Sequence, residues 1–351
     1  MEGRNELIEY FKAYPELEIR DIFKFLFQSI FGCEHIALSE RSVVAKIEEE
    51  AASFFGNGDK EVTSLIGDYS RISLSVLNTG ITPQTLGRLV CLSAKHGKKG
   101  SEDELEKRLF EVKELILSGK LPFEINEFEE QAEKWRESGF APLHHSDLYR
   151  EKYKPAYRLA SNAYIPFLPL FARLDTLLSN GRVILAIEGG SASGKTTLAS
   201  LLKELYGAAV FHADDYFLQP HQRTKERLSE IGGNLDRERL KEEILIPLSQ
   251  NGEVRFRRYD CQSGRLLAPK SVTTAPLTVI EGAYSLHPEL RGFYDITVFL
   301  DIDKELQKAR VTARNGEMAH RFFDEWIPLE DIYFKELDIK KKADIIIKIG
   351  E

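Results

Sequence analysis

Gly189-Gly190-Ser191-Ala192-Ser193-Gly194-Lys195-Thr196 decides how the second half of this chain is read. It fits GxxxxGK[ST] at every position, a pattern that arises by accident in roughly one chain of this length in a hundred. The apolar run Val183 to Ile187 precedes it and the helical pattern Thr196 to Leu205 follows. Strand, glycine-rich loop and helix together are the setting in which such a loop binds phosphate. Glycines let the backbone wrap phosphate oxygens, while successive N–H groups and the helix N-terminus supply positive potential. Gly189, Gly190, Ser191, Ala192, Ser193, Gly194, Lys195, Thr196 and Thr197 are therefore the expected nucleotide-binding residues. Lys195 would neutralise the β- and γ-phosphates and the Thr196 hydroxyl would ligate Mg²⁺, so ATP and Mg²⁺ are the expected cofactors. The NKxD-type element of guanine-specific GTPases and the LSGGQ signature of transporter ATPases do not occur.

Further strand candidates lie at Ala209 to Ala213, Leu277 to Glu281, Ile296 to Asp301 and Asp344 to Ile349. Helical patterns separate most of them, as at Arg237 to Leu248 and Lys304 to Arg314, and this alternation predicts βαβ units and a parallel sheet. Parallel strands present ligand groups at their carboxyl ends. Asp214-Asp215 and Glu281-Gly282 stand at two such ends, where a carboxylate can hold magnesium or accept the proton of an attacking hydroxyl.

Over roughly Arg182 to Glu351 the sequence resembles the uridine kinase and phosphoribulokinase family of P-loop kinases. The resemblance rests on GGSASGKTT, HADDYF, GGNLDRERL, RRYDCQSGR, VIEGAY and FLDID, in that order. It implies a mainly parallel, five-stranded sheet between helices and transfer of the ATP γ-phosphate to a hydroxyl, first of all that of a uridine- or cytidine-like nucleoside. Other small alcohols, such as a sugar, a ribulose-phosphate-like or a pantothenate-like compound, and an ATP-operated switch are the alternatives. By the same similarity Asp214 is the general base near the metal, and Thr196, Asp214 and Glu281 are the metal set. Asp215, Tyr216, Asn234, Asp236, Tyr259, Asp260 and Arg265 fall on the acceptor side, and Arg310 and Arg314, with Arg321 behind them, resemble lid arginines. Two departures stand out: Asp236 is followed by Arg237-Glu238 rather than His-Pro, and Glu325 to Glu330 matches a uridine kinase-like branch better.

The first half reads as helices. Ser101 to Glu104 forms a capping box ahead of Leu105, Leu109 and Val112, with Gly119 as the stop. Thr82-Pro83 opens another helix, Asn126 and Glu129 a third that Gly139 closes, and Ile19 to Phe31 a buried one. Leu170 to Leu178 is amphipathic. An all-α domain over 1–160, a junction helix over 161–180 and a P-loop kinase domain over 181–351 are expected. Tyr149, Tyr153, Tyr157 and Tyr164 with Arg150 and Arg158 read as packing an interdomain surface rather than stacking a nucleobase. Cys33-Glu34-His35 and His144-His145 are the metal-like residues of this half, and both read as core or surface features rather than zinc ligands.

The chain has 351 residues, 42% of them hydrophobic, enough for about two cores. Its net charge of −8 argues against a nucleic-acid partner. Three cysteines without a CxxC pair exclude a disulfide scaffold. Without an apolar leader or a long apolar run, the expected setting is cytoplasmic, with no membrane partner. The expected partner is a small-molecule hydroxyl acceptor, and the sequence leaves room for a homo-oligomer.

Overall fold

The computed structural model describes residues 2–33, 39–53, 62–250 and 252–350. The chain divides into two compact units, Met1–Ala172 and Arg173–Glu351.

The first unit is mostly helical. The helix Ile19–Phe31 buries Ile22, Phe23, Phe25 and Leu26, and Phe23 stacks on Trp135 of the helix Ile125–Glu137 at 4.8 Å between ring centroids. Ser101 closes its capping box with Glu104 ahead of the helix Glu102–Leu117. Thr82 caps the helix Pro83–His96 through the Thr85 N–H. The helix Ile125–Glu137 begins one residue before Asn126, with Glu124 at its N-cap and no side-chain cap bond, so Asn126 lies inside the first turn rather than opening it.

The helical description of this unit needs one addition, a three-stranded antiparallel sheet of β1 (Thr63–Ile66), β2 (Tyr69–Ser73) and β3 (Tyr157–Ser161). Gly67 and Asp68 form the two-residue turn between β1 and β2, and Gly67 supplies the positive φ that tight hairpins need. β2 is buried at every residue, polar Ser70 and Arg71 included, so it lacks the alternation by which a strand is recognised. The buried Arg71 guanidinium donates to Gln28 Oε1 and lies over the rings of Tyr10 and Tyr157. His145 sits beside them, its Nδ1 2.8 Å from Asp21 and its Nε2 2.8 Å from the Tyr157 hydroxyl. Burial pushes its pKa down to about 4, so it is a neutral core histidine. Tyr149 and Tyr153 pack on Tyr14 within this unit, and Arg158 pairs with Glu50. Tyr149 is thus buried within the first unit, Tyr153, Tyr157 and Arg158 are half-buried, and Arg150 is exposed. Cys33 is buried, whereas Glu34 and His35 lie outside the described residues.

In the second unit the strands are β4 (Val183–Gly189), β5 (Ala209–His212), β6 (Val254–Phe256), β7 (Tyr259–Asp260), β8 (Arg265–Leu266), β9 (Lys270–Val272), β10 (Leu277–Glu281), β11 (Ile296–Ile302) and β12 (Ile345–Ile349). Five make one sheet in the order β12-β11-β4-β10-β5, every pair parallel, while β6 pairs with β9 and β7 with β8. β4, which carries the glycine-rich loop, is central, and β10 and β5 lie to one side of it. The register sets Glu281 opposite Ile187 of β4 and His212 of β5, so the loop and the acidic strand ends share one edge. The helix Lys195–Tyr206 covers the sheet with Leu198, Leu202 and Leu205, each worth about 1.5–3 kcal/mol of burial. No helix among the described residues is long and apolar enough to cross a membrane.

Candidate active site

The loop leaves β4 at Gly189, where a Cβ would stand 2.5 Å from the Leu300 carbonyl, so only glycine fits. Ala192 and Gly194 both take positive φ, turning the backbone around the cradle before the helix Lys195–Tyr206 starts. The first N–H groups of that helix have no intrahelical acceptor and face the ligand side. Lys195 Nζ donates to the Gly189 and Gly190 carbonyls at 2.6 and 3.1 Å. The buried Ser193 hydroxyl has no hydrogen-bond partner among the described residues.

Thr196 Oγ1 donates to Glu281 Oε1 at 3.2 Å, and Glu281 is buried. A hydroxyl and a carboxylate are hard oxygen donors of the kind Mg²⁺ takes, and the glycine-rich turn with its helix N-terminus supplies N–H donors for phosphate. These residues fit both groups. His212, at the end of β5, holds its Nδ1 2.5 Å from the same Glu281 oxygen, and that contact raises the histidine pKa.

Asp214 lies in the turn directly after β5 and opens to solvent. The surrounding protein raises its carboxyl pKa, Glu281 and Asp215 add to this, and Lys195 opposes it. Such a shift moves a carboxylate towards the range useful to a general base. Gly282, at φ +138°, permits the close approach: a Cβ there would stand 2.9 Å from that of Ala213 and 3.2 Å from Asp214 Oδ1. Tyr284, two residues on, is buried with φ +67°, a strained conformation for a non-glycine residue.

Lys195, Thr196, Asp214 and Glu281 thus come together, with the remaining loop residues through Thr197 around them. Arg310 reaches the loop through the Ala192 carbonyl at 3.2 Å, whereas Arg314 is exposed and makes no ion pair among the described residues. Arg321 pairs with Glu325 and lies over Trp326.

The acceptor-side residues divide. Asn234 sits against the Tyr284 hydroxyl. Asp236 is buried as the N-cap of the helix Arg237–Leu240, its oxygens taken by the Arg239 N–H, Arg239 Nε and Gln222. Asp215 is bound to Arg258 at 2.8 Å and Tyr216 is buried beneath Arg239. Asp260 holds the tip of the Tyr259–Leu266 hairpin by accepting from the Gln262 and Ser263 N–H groups, and Arg265 is exposed on its second strand. In this structure Asp236, Tyr216 and Asp260 hold the elements that carry the site.

Two buried acids beside the loop are absent from the sequence-based set. Glu330, in the helix Ile327–Glu336, accepts from Ser191 N–H at 2.8 Å and from Ser191 Oγ at 2.7 Å. Gln307 donates to the Ser191 carbonyl, so the loop is held at Ser191 from two helices. In the sequence Glu325 to Glu330 stands out only as a stretch matching a uridine kinase-like branch, and that match gives Glu330 no role at the loop. Glu330→Gln keeps an acceptor for the Ser191 amide and removes a negative charge beside the phosphate seat. Mg-ATP affinity is expected to rise about three- to tenfold in calorimetric titration; weaker binding would mean that the charge itself positions the loop.

Glu188, one residue before the end of β4, is fully buried and accepts from the Gly189 and Leu286 N–H groups and the Tyr333 hydroxyl. The acidic residue immediately before Gly189 was its signal in sequence. Burial pushes its pKa up to about 8. The folded state therefore keeps a proton that the unfolded chain loses near pH 4.5, and stability drains as pH rises from about 4.5 to 8. Glu188→Gln removes that loss. Its melting temperature relative to wild type should climb steadily between pH 5 and pH 8, and a constant difference would refute a buried titrating carboxyl.

A phosphate loop ending the central strand of a parallel sheet, with acids at the neighbouring strand ends, defines a P-loop phosphotransferase. The sequence model of the Phosphoribulokinase / Uridine kinase family matches residues 184–324. A uridine kinase of Macrococcus caseolyticus is 30% identical over 187 residues, covering 48% of this chain and 88% of that protein. A uridine kinase of Staphylococcus aureus is 31% identical over 189 residues, covering 48% and 87%. A solved structure described as a possible uridine kinase from Bacillus stearothermophilus is similar at 25% identity and a TM-score of 0.37, over 51% of this chain and 98% of that one. The chain belongs to the phosphoribulokinase/uridine kinase family and contains its small-molecule kinase fold.

Proposed function

We propose that the protein transfers the γ-phosphoryl group of ATP, with Mg²⁺, to a hydroxyl of a small molecule. The observation that carries this is the convergence of Lys195, Thr196, Asp214 and Glu281 on the carboxyl edge of one parallel sheet. Phosphoryl transfer asks mainly for positioning and for positive charge on the transferring group. Lys195 and the loop amides supply that charge, Arg310 adds to it from the neighbouring helix, and Asp214 accepts the proton of the attacking hydroxyl. Thr196 and Glu281 would hold Mg²⁺, which when bound neutralises phosphate charge. His212 orients Glu281 through its Nδ1 contact.

The relatives named uridine kinase place a pyrimidine nucleoside first in the order of assay. The test is incubation with ATP, Mg²⁺ and a panel of nucleosides, sugars and hydroxy acids, read by mass spectrometry. A phosphorylated product that requires Mg²⁺ supports the proposal, and its absence across the panel would count against it.

A further inference from the structure

We propose that Glu330 is a positioning residue that couples the phosphate loop to the helical stretch 312–329: its carboxylate grips Ser191, and a triphosphate bound in the loop drives it off. The link to turnover rests on the phosphotransferase function above, whereas the movement itself can be read without turnover.

Ala319 is the one buried residue among those described between Val311 and Glu330, while Arg321 to Phe323 and Ile327 are half-buried. The side-chain bonds of Arg321 to Glu325 and of His320 to the Glu317 carbonyl are local to the stretch. Its two feet, by contrast, both stand on the phosphate loop. On one side Gln307 donates to the Ser191 carbonyl at 2.9 Å and Arg310 to the Ala192 carbonyl at 3.2 Å. Gly190 makes room for this approach, because a Cβ there would stand 2.7 Å from Gln307 Nε2. On the other side the two carboxylate oxygens of the buried Glu330 accept the Ser191 N–H and hydroxyl at 2.8 and 2.7 Å. Beyond Glu330 the helix is anchored by Tyr333, whose hydroxyl donates to Glu188, and by Phe334 against Phe299.

The two feet differ in chemistry, and that difference decides which of them a nucleotide acts on. Phosphate oxygens accept hydrogen bonds and carry negative charge. They do not compete for loop carbonyls, so Gln307 and Arg310 keep theirs. A carboxylate is the opposite case: it draws on N–H and O–H donors as a phosphate does, and a phosphate repels it. Ser191 adjoins Gly190, whose carbonyl Lys195 Nζ contacts at 3.1 Å, so the Glu330 charge lies beside the phosphate seat. A ligand shifts a conformational balance only through differential affinity, and this repulsion supplies it. Ala192, next to Ser191, has φ +61°, a strained conformation for a non-glycine residue and of the kind found at switch regions. Released at Glu330 and still held at Gln307, the stretch that carries Arg314 and Arg321 pivots on the loop.

The chain holds two tryptophans, Trp135 buried in the first unit and Trp326 exposed in the stretch itself. Fluorotryptophan incorporated into the full chain therefore gives two fluorine NMR signals, assigned with Trp326→Phe. Mg²⁺ with a non-hydrolysable ATP analogue should shift the Trp326 signal with the midpoint that calorimetry gives for binding, and adenosine should leave it in place. In Glu330→Gln the amide can keep both contacts to Ser191 without the charge. About half or more of that shift should then disappear although the analogue still binds. In Glu330→Ala nothing grips Ser191, and the signal should lie near its bound position before nucleotide is added. A merely structural Glu330 would leave the shift of the Gln variant intact. Turnover gives a second readout: in Glu330→Gln kcat should fall about three- to tenfold while the KM for ATP falls too. An unmoved Trp326 signal in the wild type, or a full shift in Glu330→Gln, would overturn the inference and leave the phosphotransferase intact. A shift without phosphoryl transfer to any acceptor would keep the coupling and reject the kinase function.

Discussion

Lys195→Ala is expected to lower turnover about 10²- to 10³-fold and to weaken Mg-ATP binding in parallel. The ammonium group is the one side-chain cation inside the loop itself, held 2.6 Å from the Gly189 carbonyl. Its charge also opposes the raised pKa of Asp214, Glu188 and Glu330, so removing it leaves three acids beside the phosphate seat with less to balance them. The fold should tolerate the change, because the helix Lys195–Tyr206 is fastened through Leu198, Ala199, Leu202 and Leu205 on its other face. Steady-state kinetics and calorimetric titration would show both losses with an unchanged melting temperature. Wild-type ATP affinity in this variant would remove Lys195 from the phosphate site.

Asp214→Asn should have the second large effect, a loss of about 10²–10⁴ in kcat with ATP affinity nearly unchanged. The amide is isosteric but cannot accept the proton of the attacking hydroxyl. Because Asp214 opens to solvent and bears no packing load, the variant should fold as the wild type does. The distinguishing result is the split between kcat and ATP binding. A variant of full activity would mean that the proton leaves by another route.

The strands of the main sheet were legible because each is short, apolar and separated from the next by a helical pattern. The expected Val183 to Glu188 and Leu277 to Glu281 differ from the observed strands by no more than a residue at an end. The phosphate loop was legible because wrapping an anion demands glycine at Gly189 and Gly194 whatever the rest of the chain does. The β1–β3 sheet was not, because β2 is buried with Ser70, Arg71 and Ser73 inside it, and the partners of Ser70 and Arg71 lie far away in sequence. The role of Glu330 was equally hidden, since its bond to Ser191 spans 139 positions and the match of Glu325 to Glu330 to a family branch assigns it no partner. Asp236 shows the opposite case: its place in a motif suggests a ligand contact, while its carboxylate caps a helix and binds Arg239.

The decisive measurement is a mass-spectrometric assay for transfer of the ATP γ-phosphoryl group to an added alcohol, with and without Mg²⁺, beside the Asp214→Asn protein. Expected is a phosphorylated alcohol that forms only with the metal and fails to form with the variant. A wild-type protein that shows no magnesium-dependent affinity for ATP, or that phosphorylates an alcohol equally well without Asp214, would contradict the assignment of this sheet edge as a phosphotransferase site.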